Sequence, residues 1–304
     1  MKSSLLTLLL CLLTLLNLDA QSFLVLKNGE KIDYKKYKIK DKDRAIEIKK
    51  PKPAIIKIDD ADYIVTSKGE IRFIRPAVEN DILFEPDYTL MEKIVDGKIS
   101  ILKYSKTTTL YSGPNGTNSH TTTYHFIEKD EKLVQIFSSG LLENRKKNNQ
   151  YTISRYFSDD KEILNRLNSD DFEANAKNVL DLIREYNVHA YEKSSFTTES
   201  KLTDAILFRG YSNQNEKLVA EIAIEDQNFS LTNMAYRRIK LLNEKPMKIC
   251  VSNGENELCD LIKGSKYMIK YVEIILKKNG DIDFRTRNKD QYQKFRNELN
   301  YQSN

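Results

Sequence analysis

The stretch KICVSNGENELCDLI, residues 248–262, places Cys250 and Cys259 on either side of an Asn-Gly pair. Asn-Gly between two apolar runs is the strongest short-range signal for a β-hairpin. A loop at residues 253–256 puts Cys250 opposite Cys259, and facing residues of an antiparallel pair lie close enough for a disulfide. The spacing therefore predicts a disulfide that closes a hairpin. Two free thiols, or metal or redox chemistry, are the alternatives.

The histidines do not add to this pair in a way that suggests a metal. Zinc usually takes about four ligands in closely spaced pairs, and His120, His125 and His189 lie far from both cysteines in the sequence. On one strand, residues 120 and 125 point to opposite faces, so they cannot share an ion and are predicted to be surface histidines. His189 follows the predicted end of a helix at Asn187, where a cation suits the helix dipole. We expect neither a metal nor a cofactor.

The chain begins MKSSLLTLLLCLLTLLNLDAQS, with Lys2 before an apolar run and Ala20 at its polar end. This order is typical of a secretory signal peptide, here 1–20, cleaved after Ala20. The run is short for a membrane span of about 20 residues, so an uncleaved anchor is the less favoured alternative. Cys11 lies inside the run and follows a leucine, which does not fit a lipid-attachment site. No later segment reaches about 18 apolar residues, so no transmembrane segment is expected in the mature chain.

Export sets the compartment and the classes of partner. We expect a periplasmic, outer-membrane-associated or secreted protein, whose two remaining cysteines meet an oxidising environment. The net charge is +5, and the basic clusters are interleaved with acids. Nucleic-acid binding needs a concentrated basic stripe, so a solvated surface is the better interpretation. The expected partner is an envelope protein or a glycan, and no nucleic acid.

Glycine and periodicity indicate a chain made mainly of strands. Five of the ten glycines follow Asn or Asp, which predicts many tight antiparallel turns. The segments LKNGEKIDY (26–34), SKGEIRF (67–73) and LKKNGDIDF (276–284) share one form, so we expect the same hairpin turn three times. Apolar and polar residues alternate over 23–75, as in a small antiparallel roll. Two long strands are predicted around a loop at 113–116.

Helices are predicted after residue 150. Asp159 with Glu162, and Asp170 with Glu173, form possible capping boxes before apolar residues at helical spacing. A last helix places Tyr292, Phe295 and Leu299 on one face. The predicted fold is mainly β with a helical insertion (α+β): an N-terminal antiparallel β-roll at 21–80, β-strands plus a helix pair at 81–191, a linker at 192–203, and a β-sandwich with a C-terminal helix at 204–304.

Two resemblances can be drawn from these segments. The pattern FLVLKNGEKIDYKKYKIK with AIIKIDDADYIVTSKGEIRFI, then GKISILKY and RYFSDDKEILNRL, resembles exported envelope proteins of Bacteroidota that have no assigned activity. The C-terminal part is similar to a small β-sandwich domain of unknown function in bacterial lipoproteins, through Phe208-Arg209, Tyr236, and Gly264 with Tyr267. It departs from that domain by lacking a lipobox cysteine. Neither resemblance implies a catalytic residue.

The sequence contains none of the common catalytic motifs, such as GxSxG, HExxH or a phosphate-binding loop. We therefore predict a non-enzymatic envelope protein that binds or scaffolds a partner through its β surfaces. The alternative is a secreted hydrolase whose site is assembled from acidic residues scattered along the sequence. Convergent acids or a histidine in a pocket would favour the hydrolase, and an exposed strand surface would favour the binding protein.

Overall fold

A computed structural model describes residues 22–40, 43–76, 88–111, 117–130, 132–139, 152–193, 201–210, 218–225, 227–243, 245–277 and 279–302. The predicted signal peptide with Cys11, the loop at 113–116 and the middle of the predicted linker lie outside these residues. Strands make up 53% of the described residues and helices 20%, which confirms the prediction of a mainly β protein. None of the described helices combines the length and the hydropathy needed to cross a membrane.

The chain divides into two compact units, of which the first contains the residues up to Met91 together with Asn288–Asp290. Its strands are β1 (Phe23–Leu26), β2 (Lys31–Asp33), β3 (Lys36–Lys40), β4 (Ala45–Lys50), β5 (Ala54–Lys57), β6 (Ala61–Val65), β7 (Ile71–Pro76) and the first half of β8 (Tyr88–Val95). They form the antiparallel order β2-β1-β6-β7-β8 and a separate sheet β3-β4-β5. Both sheets contribute to one core, which includes Leu24, Ile46, Ile48 and Ile64.

The second unit begins at Glu92, where the second half of β8 pairs with the next strand. Its first sheet continues with β9 (Ser100–Tyr111), β10 (Thr117–Lys129) and β11 (Lys132–Ser139) in antiparallel order. The helices α1 (Lys161–Leu167) and α2 (Ala176–Glu192) cover it, and their apolar residues share a core with Ile99, Ile101 and Ile127.

The later strands of this unit are β12 (Leu202–Arg209), β13 (Ala220–Ile224), β14 (Gln227–Leu231), β15 (Ala235–Leu242), β16 (Met247–Ser252), β17 (Glu257–Ile262), β18 (Lys270–Leu276) and β19 (Ile282–Arg287). They form two four-stranded sheets, β15-β12-β18-β19 and β14-β13-β16-β17, whose apolar faces share one core. All of their pairings are antiparallel except β12 with β18. Helix α3 (Lys289–Gln302) places Tyr292, Phe295 and Leu299 against the outer face of the first of these sheets, as its spacing predicted.

The three segments of similar sequence form the same turn. In each turn, the residue three positions before the glycine accepts the glycine N–H with its own carbonyl. Its N–H in turn donates to the carbonyl of the residue that follows the glycine. The pairs are Leu26 with Gly29, Thr66 with Gly69, and Lys277 with Gly280. Each glycine has a positive φ, between 74° and 83°. This is a three-residue hairpin loop with glycine in the left-handed region. The prediction of one hairpin turn used three times is confirmed.

Several boundaries differ from the sequence predictions. Asp160, not Asp159, caps α1 by accepting the N–H of Ile163, and Asn175, not Asp170, caps α2. In both cases the capping residue lies directly before the turn whose apolar residues join the core, so packing chose among polar residues one to five positions apart. Helix α2 continues past Asn187 to Glu192, so His189 lies in its last turn.

The long strand predicted after the loop at 113–116 is two strands. A turn at Asp130, which has a φ of 50°, separates β10 from β11. A short left-handed turn without glycine gives little signal in a sequence, because Asp tolerates this conformation but does not require it.

The hairpin of β16 and β17 has the predicted register. Cys250 faces Cys259, Ser252 faces Glu257, and the N–H of Asn253 bonds the carbonyl of Asn256. The two cysteine sulfurs are joined in a disulfide. This strand pair belongs to the second four-stranded sheet, so the bond links two strands that already contribute apolar residues to the core.

Replacing both cysteines with serine is expected to lower the free energy of unfolding by about 2–3 kcal/mol, because the bond closes only a short loop in the unfolded chain. Urea unfolding followed by circular dichroism measures the change. Wild-type protein treated with a reductant is the control and should lose the same amount. Equal stability of the oxidised wild type and the double serine variant would contradict the prediction.

Candidate interaction surface

Strands β9 and β10 form a hairpin whose outer half extends beyond its sheet. They pair without interruption from Ser100 with Glu128 to Tyr111 with Thr117. Strand β8 pairs with β9 only as far as Lys103, and β11 pairs with β10 only from Thr123 onwards. Among the described residues of this unit, the outer half of each strand therefore pairs only with the other. We call residues 105–111 and 117–123 the ribbon.

Burial changes sharply along this hairpin. Close to the turn between β8 and β9, Ile101, Leu102, Phe126 and Ile127 are fully buried. Both faces of the ribbon have exposed residues. They are Ser105, Thr107, Thr109, Ser119 and Thr121 on one face, and Thr108, Asn118 and His120 on the other. The sequence explains the change, because the apolar residues needed for a core give way to polar residues, mostly Thr, which still favours strands. At residues 105–109 and 118–123, the ribbon is a two-stranded arm of polar side chains.

One face of the ribbon carries hydroxyl groups in facing pairs. Ser105 faces Thr123 and their hydroxyl oxygens are 3.1 Å apart, while Thr107 faces Thr121 at 2.9 Å. Thr109 faces Ser119 in the next pair along. Hydrogen bonds between facing Thr and Ser side chains stabilise a strand pair that has no core beneath it. The result is a regular array of donors and acceptors open to solvent.

The opposite face of the ribbon carries its one lysine and its one histidine, and the ribbon has no acidic residue. Lys106 faces Thr122, and Thr108 faces His120. The ribbon sequence contains Lys106 and His120 and no Asp or Glu, although the chain has 44 acidic residues. The side chains of residues 105–109 and 118–123 therefore form a polar surface without negative charge, suited to hydrogen bonding with hydroxyl, amide or carbonyl groups of a partner.

His125 lies on β10 just inside the ribbon, opposite Lys103. It is partly buried, and its Nδ1 is a buried atom without a hydrogen-bond partner in the described structure. Burial, helped by the charge of Lys103, lowers the pKa of His125 to about 4. The prediction of two surface histidines is thus correct for His120 and wrong for His125. His125 lies next to the part of β10 that is buried, at Phe126 and Ile127.

The low pKa of His125 predicts an acid-sensitive contribution to stability. The unfolded chain takes up a proton at this residue near pH 6.5 and the folded chain does so only near pH 4. Because the unfolded state binds more protons between these values, stability falls as the pH drops from 6.5 to 4, by roughly 2–3 kcal/mol from this residue. We expect His125→Phe to reduce the loss of stability on acidification.

Urea unfolding at pH 7, 6, 5 and 4.5 measures this slope for wild type and variant. The same replacement at the exposed His120 is the matched control for the loss of an imidazole on this strand. Parallel pH profiles for wild type and His125→Phe would contradict the assignment.

The two cysteines are joined to each other, so neither sulfur is a free thiolate. Within the described residues, the group of ligand-type side chains close enough to hold an ion is Cys250, Glu257 and Cys259. Both sulfurs are consumed by the disulfide, which leaves a single carboxylate. Metal ligation by cysteine requires thiolates. The closeness of these three side chains is therefore explained by the disulfide across the hairpin.

Two adjacent acids come together with a histidine near the start of α1. One oxygen of Asp160 accepts the N–H of Ile163, and the other lies 3.1 Å from Nδ1 of His189 and 3.4 Å from Nζ of Lys193. Hydrogen bonds from Ile163 and His189 outweigh the effect of burial and lower the pKa of Asp160. The carboxylate thus joins the start of α1 to the last turn of α2.

Asp159 is engaged in the same way. The Tyr186 hydroxyl donates to it at 2.9 Å, and Nζ of Lys98 lies 2.5 Å from its second oxygen. Burial opposes the charged form, but the bonds from Lys98 and Tyr186 prevail and lower the pKa of Asp159 to about 2. Burial and the neighbouring carboxylate raise the pKa of Tyr186 to about 12. These two acids form structural ties, so their geometry does not favour the hydrolase.

A scan against protein-family models, a search of curated proteins and a search of solved structures each found no match to this chain. The two resemblances drawn from the sequence therefore stay predictions. The ribbon was not singled out by sequence reasoning, which identified the long strands but not the exposed hydroxyl face. The signal that could have found it is the pair of Thr runs, residues 107–109 and 121–123, one on each side of the loop.

Proposed function

We propose that the chain is an exported, non-enzymatic protein of the bacterial envelope that binds or scaffolds a partner through the ribbon. The observation that carries this proposal is the outer half of the β9–β10 hairpin, which is exposed on both faces and carries paired hydroxyls on one of them. The partner is an envelope protein or a glycan, both of which offer hydroxyl and amide groups. A disulfide between Cys250 and Cys259 agrees with an oxidising compartment such as the periplasm or the cell exterior.

We also propose the finer architecture that the sequence predicts. The first unit is an antiparallel β-roll, supported by two sheets that share one core. The last strands form a β-sandwich with a C-terminal helix, supported by the apolar cluster common to both four-stranded sheets. The strands and helix pair between them hold the base of the ribbon.

Removing hydroxyls from the ribbon tests the function. The variant Thr107→Val with Thr121→Val keeps the shape and strand preference of both side chains but removes a facing hydroxyl pair. The mature chain, starting at Gln21, is immobilised and exposed to detergent-solubilised envelope proteins and to purified envelope glycans. We expect a component that is retained by wild type and lost by the double valine variant.

The exposed Thr232 lies outside the ribbon, so Thr232→Val is the matched control and should retain the component. Circular dichroism confirms that each variant is folded. Equal retention by all three proteins would remove the ribbon from the proposal.

A further inference from the structure

Among the residues that the structure describes, no strand pairs with the outer edge of β9 beyond Lys103. Proteins commonly guard such edges with charged residues, prolines, bulges or very short strands. Strand β9 is 12 residues long, and its pairing with β10 contains no bulge. Residues 107–111 of the ribbon, TTTLY, contain neither a charge nor a proline. Its backbone groups form a template for another strand.

We propose that this edge pairs with the same edge of a second copy of the chain, antiparallel about a two-fold axis at Thr109. This inference rests on the proposed function, because it names a partner of the ribbon. An axis at Thr109, the middle of the uncharged run, pairs residue 107 with 111 and residue 108 with 110 of the other copy. Every pair is then between uncharged residues, and Lys106 falls outside the run.

The two-fold arrangement also extends the hydroxyl face. Facing residues of an antiparallel pair lie on the same side of the sheet. Thr109 is on the hydroxyl face, so the two ribbons form a four-stranded sheet in which the hydroxyl faces of both copies meet at Thr109. Backbone hydrogen bonds supply most of the contact, as in other cases of strand addition. The area is far below that of a standard interface, so the dimer is weak, with a dissociation constant in the micromolar range or above.

Introducing a charged residue at the two-fold axis tests the proposal. Thr109→Lys places two lysines directly opposite each other, and Thr109→Glu does the same with two carboxylates. We expect each variant alone to dimerise about five-fold more weakly than wild type, because like charges that face each other destabilise a strand pair. An equimolar mixture of the two variants should recover dimers, since each heterodimer pairs Lys with Glu.

Sedimentation equilibrium of the mature chain measures the dissociation constants. Thr121→Lys is the matched control, because it adds the same charge to the same face of the ribbon but on β10, one strand away from the axis. A monomeric wild type at 100 μM (roughly the upper end of weak specific association) would overturn the inference. So would a mixture that dimerises no better than either variant alone.

Measuring dimerisation and envelope binding on the same variants distinguishes a failure of the dimer inference from a failure of the proposed function. Thr107→Val with Thr121→Val leaves the backbone edge intact, so it should lose the envelope component and keep the dimer. Retention of an envelope component by a monomeric wild type would overturn the second-copy inference and leave the binding function in place. Dimers that the charge variants do not affect would also overturn it.

Discussion

Replacing Arg184 with methionine is expected to lower the free energy of unfolding by about 3–5 kcal/mol, the largest single effect that the structure predicts. Arg184 lies on α2 and is 5% exposed. Its guanidinium contacts Asp260 of β17 at 3.1 Å and Asp181 of α2 at 3.0 Å, and lies 3.6 Å from Asp283 of β19. Methionine fills a similar volume but leaves three carboxylates close together without this cation.

The protonation of Asp260 gives this prediction a pH signature. Asp260 is 8% exposed, and burial raises its pKa to about 6 despite the opposing charges of Arg184 and Lys270. A raised pKa means that the folded state binds the proton more tightly, so acidification from pH 6 towards 4 favours the folded state at this residue. Without Arg184 the pKa of Asp260 should rise further. The deficit of Arg184→Met should therefore shrink between pH 7 and pH 5.

Two further variants make the prediction decisive. Arg184→Met combined with Asp260→Asn removes one of the stranded charges and should recover part of the lost stability, so that the two changes are not additive. Arg166→Met is the matched control, because Arg166 also lies on a helix and pairs with Glu185 but its side chain is 54% exposed. Exposed pairs contribute about 0–1 kcal/mol. Urea unfolding with comparable losses for Arg184→Met and Arg166→Met would contradict the buried-cluster account.

Replacing Asn187 with leucine is expected to lower the free energy of unfolding by about 2–4 kcal/mol. Asn187 lies on α2 and is fully buried. Its Oδ1 accepts the backbone N–H of Ile99 at 2.9 Å, and its Nδ2 donates to the carbonyl of Ile99 at 2.8 Å. The amide thus acts as a strand partner for the residue just before β9. Leucine has a similar size but leaves both backbone groups buried and unpaired.

The space for this amide depends on Gly97. A methyl group added there would lie 2.4 Å from Cγ of Asn187, closer than real contacts allow. Gly97→Ala should therefore also destabilise the protein, and combining it with Asn187→Ala should cost less than the sum of the two. Asn165→Leu, on the exposed side of α1, is the control for adding an apolar side chain to a helix. A small loss for Asn187→Leu, similar to that of Asn165→Leu, would contradict the strand-partner role.

Sequence reasoning worked best where neighbouring residues contain the whole signal. The Gly-containing turns and the register of Cys250 with Cys259 follow from a few consecutive residues, because a positive φ and a short loop leave few geometries. The apolar face of α3 follows from helical spacing alone. Helix starts were located only to within one to five residues, since Asp159 and Asp160, or Asp170 and Asn175, are all acceptable caps.

The part of the candidate surface that sequence reasoning missed depends on neighbouring strands. Residues 105–109 read as an ordinary strand, and their exposure follows only from where β8 and β11 stop pairing with the hairpin. His125 was misjudged for the same reason. A histidine on a strand is exposed or buried according to the layer that packs on that strand, and the helices that pack on this sheet begin more than thirty residues later in the chain.

The sequence by itself determined the strand-rich class, the repeated hairpin turn, the disulfide pair and the apolar side of the last helix, because these depend on local backbone preferences and on short spacings. The tertiary structure alone decided that β12 and β18 run parallel, that Asn187 pairs with Ile99, and that Arg184 collects three aspartates from three elements. Except for Arg184 with Asp181 on the same helix, those contacts join residues far apart in the chain. Their partners are selected by how the layers pack and by the need of each buried polar group to be paired, which no single stretch of sequence contains.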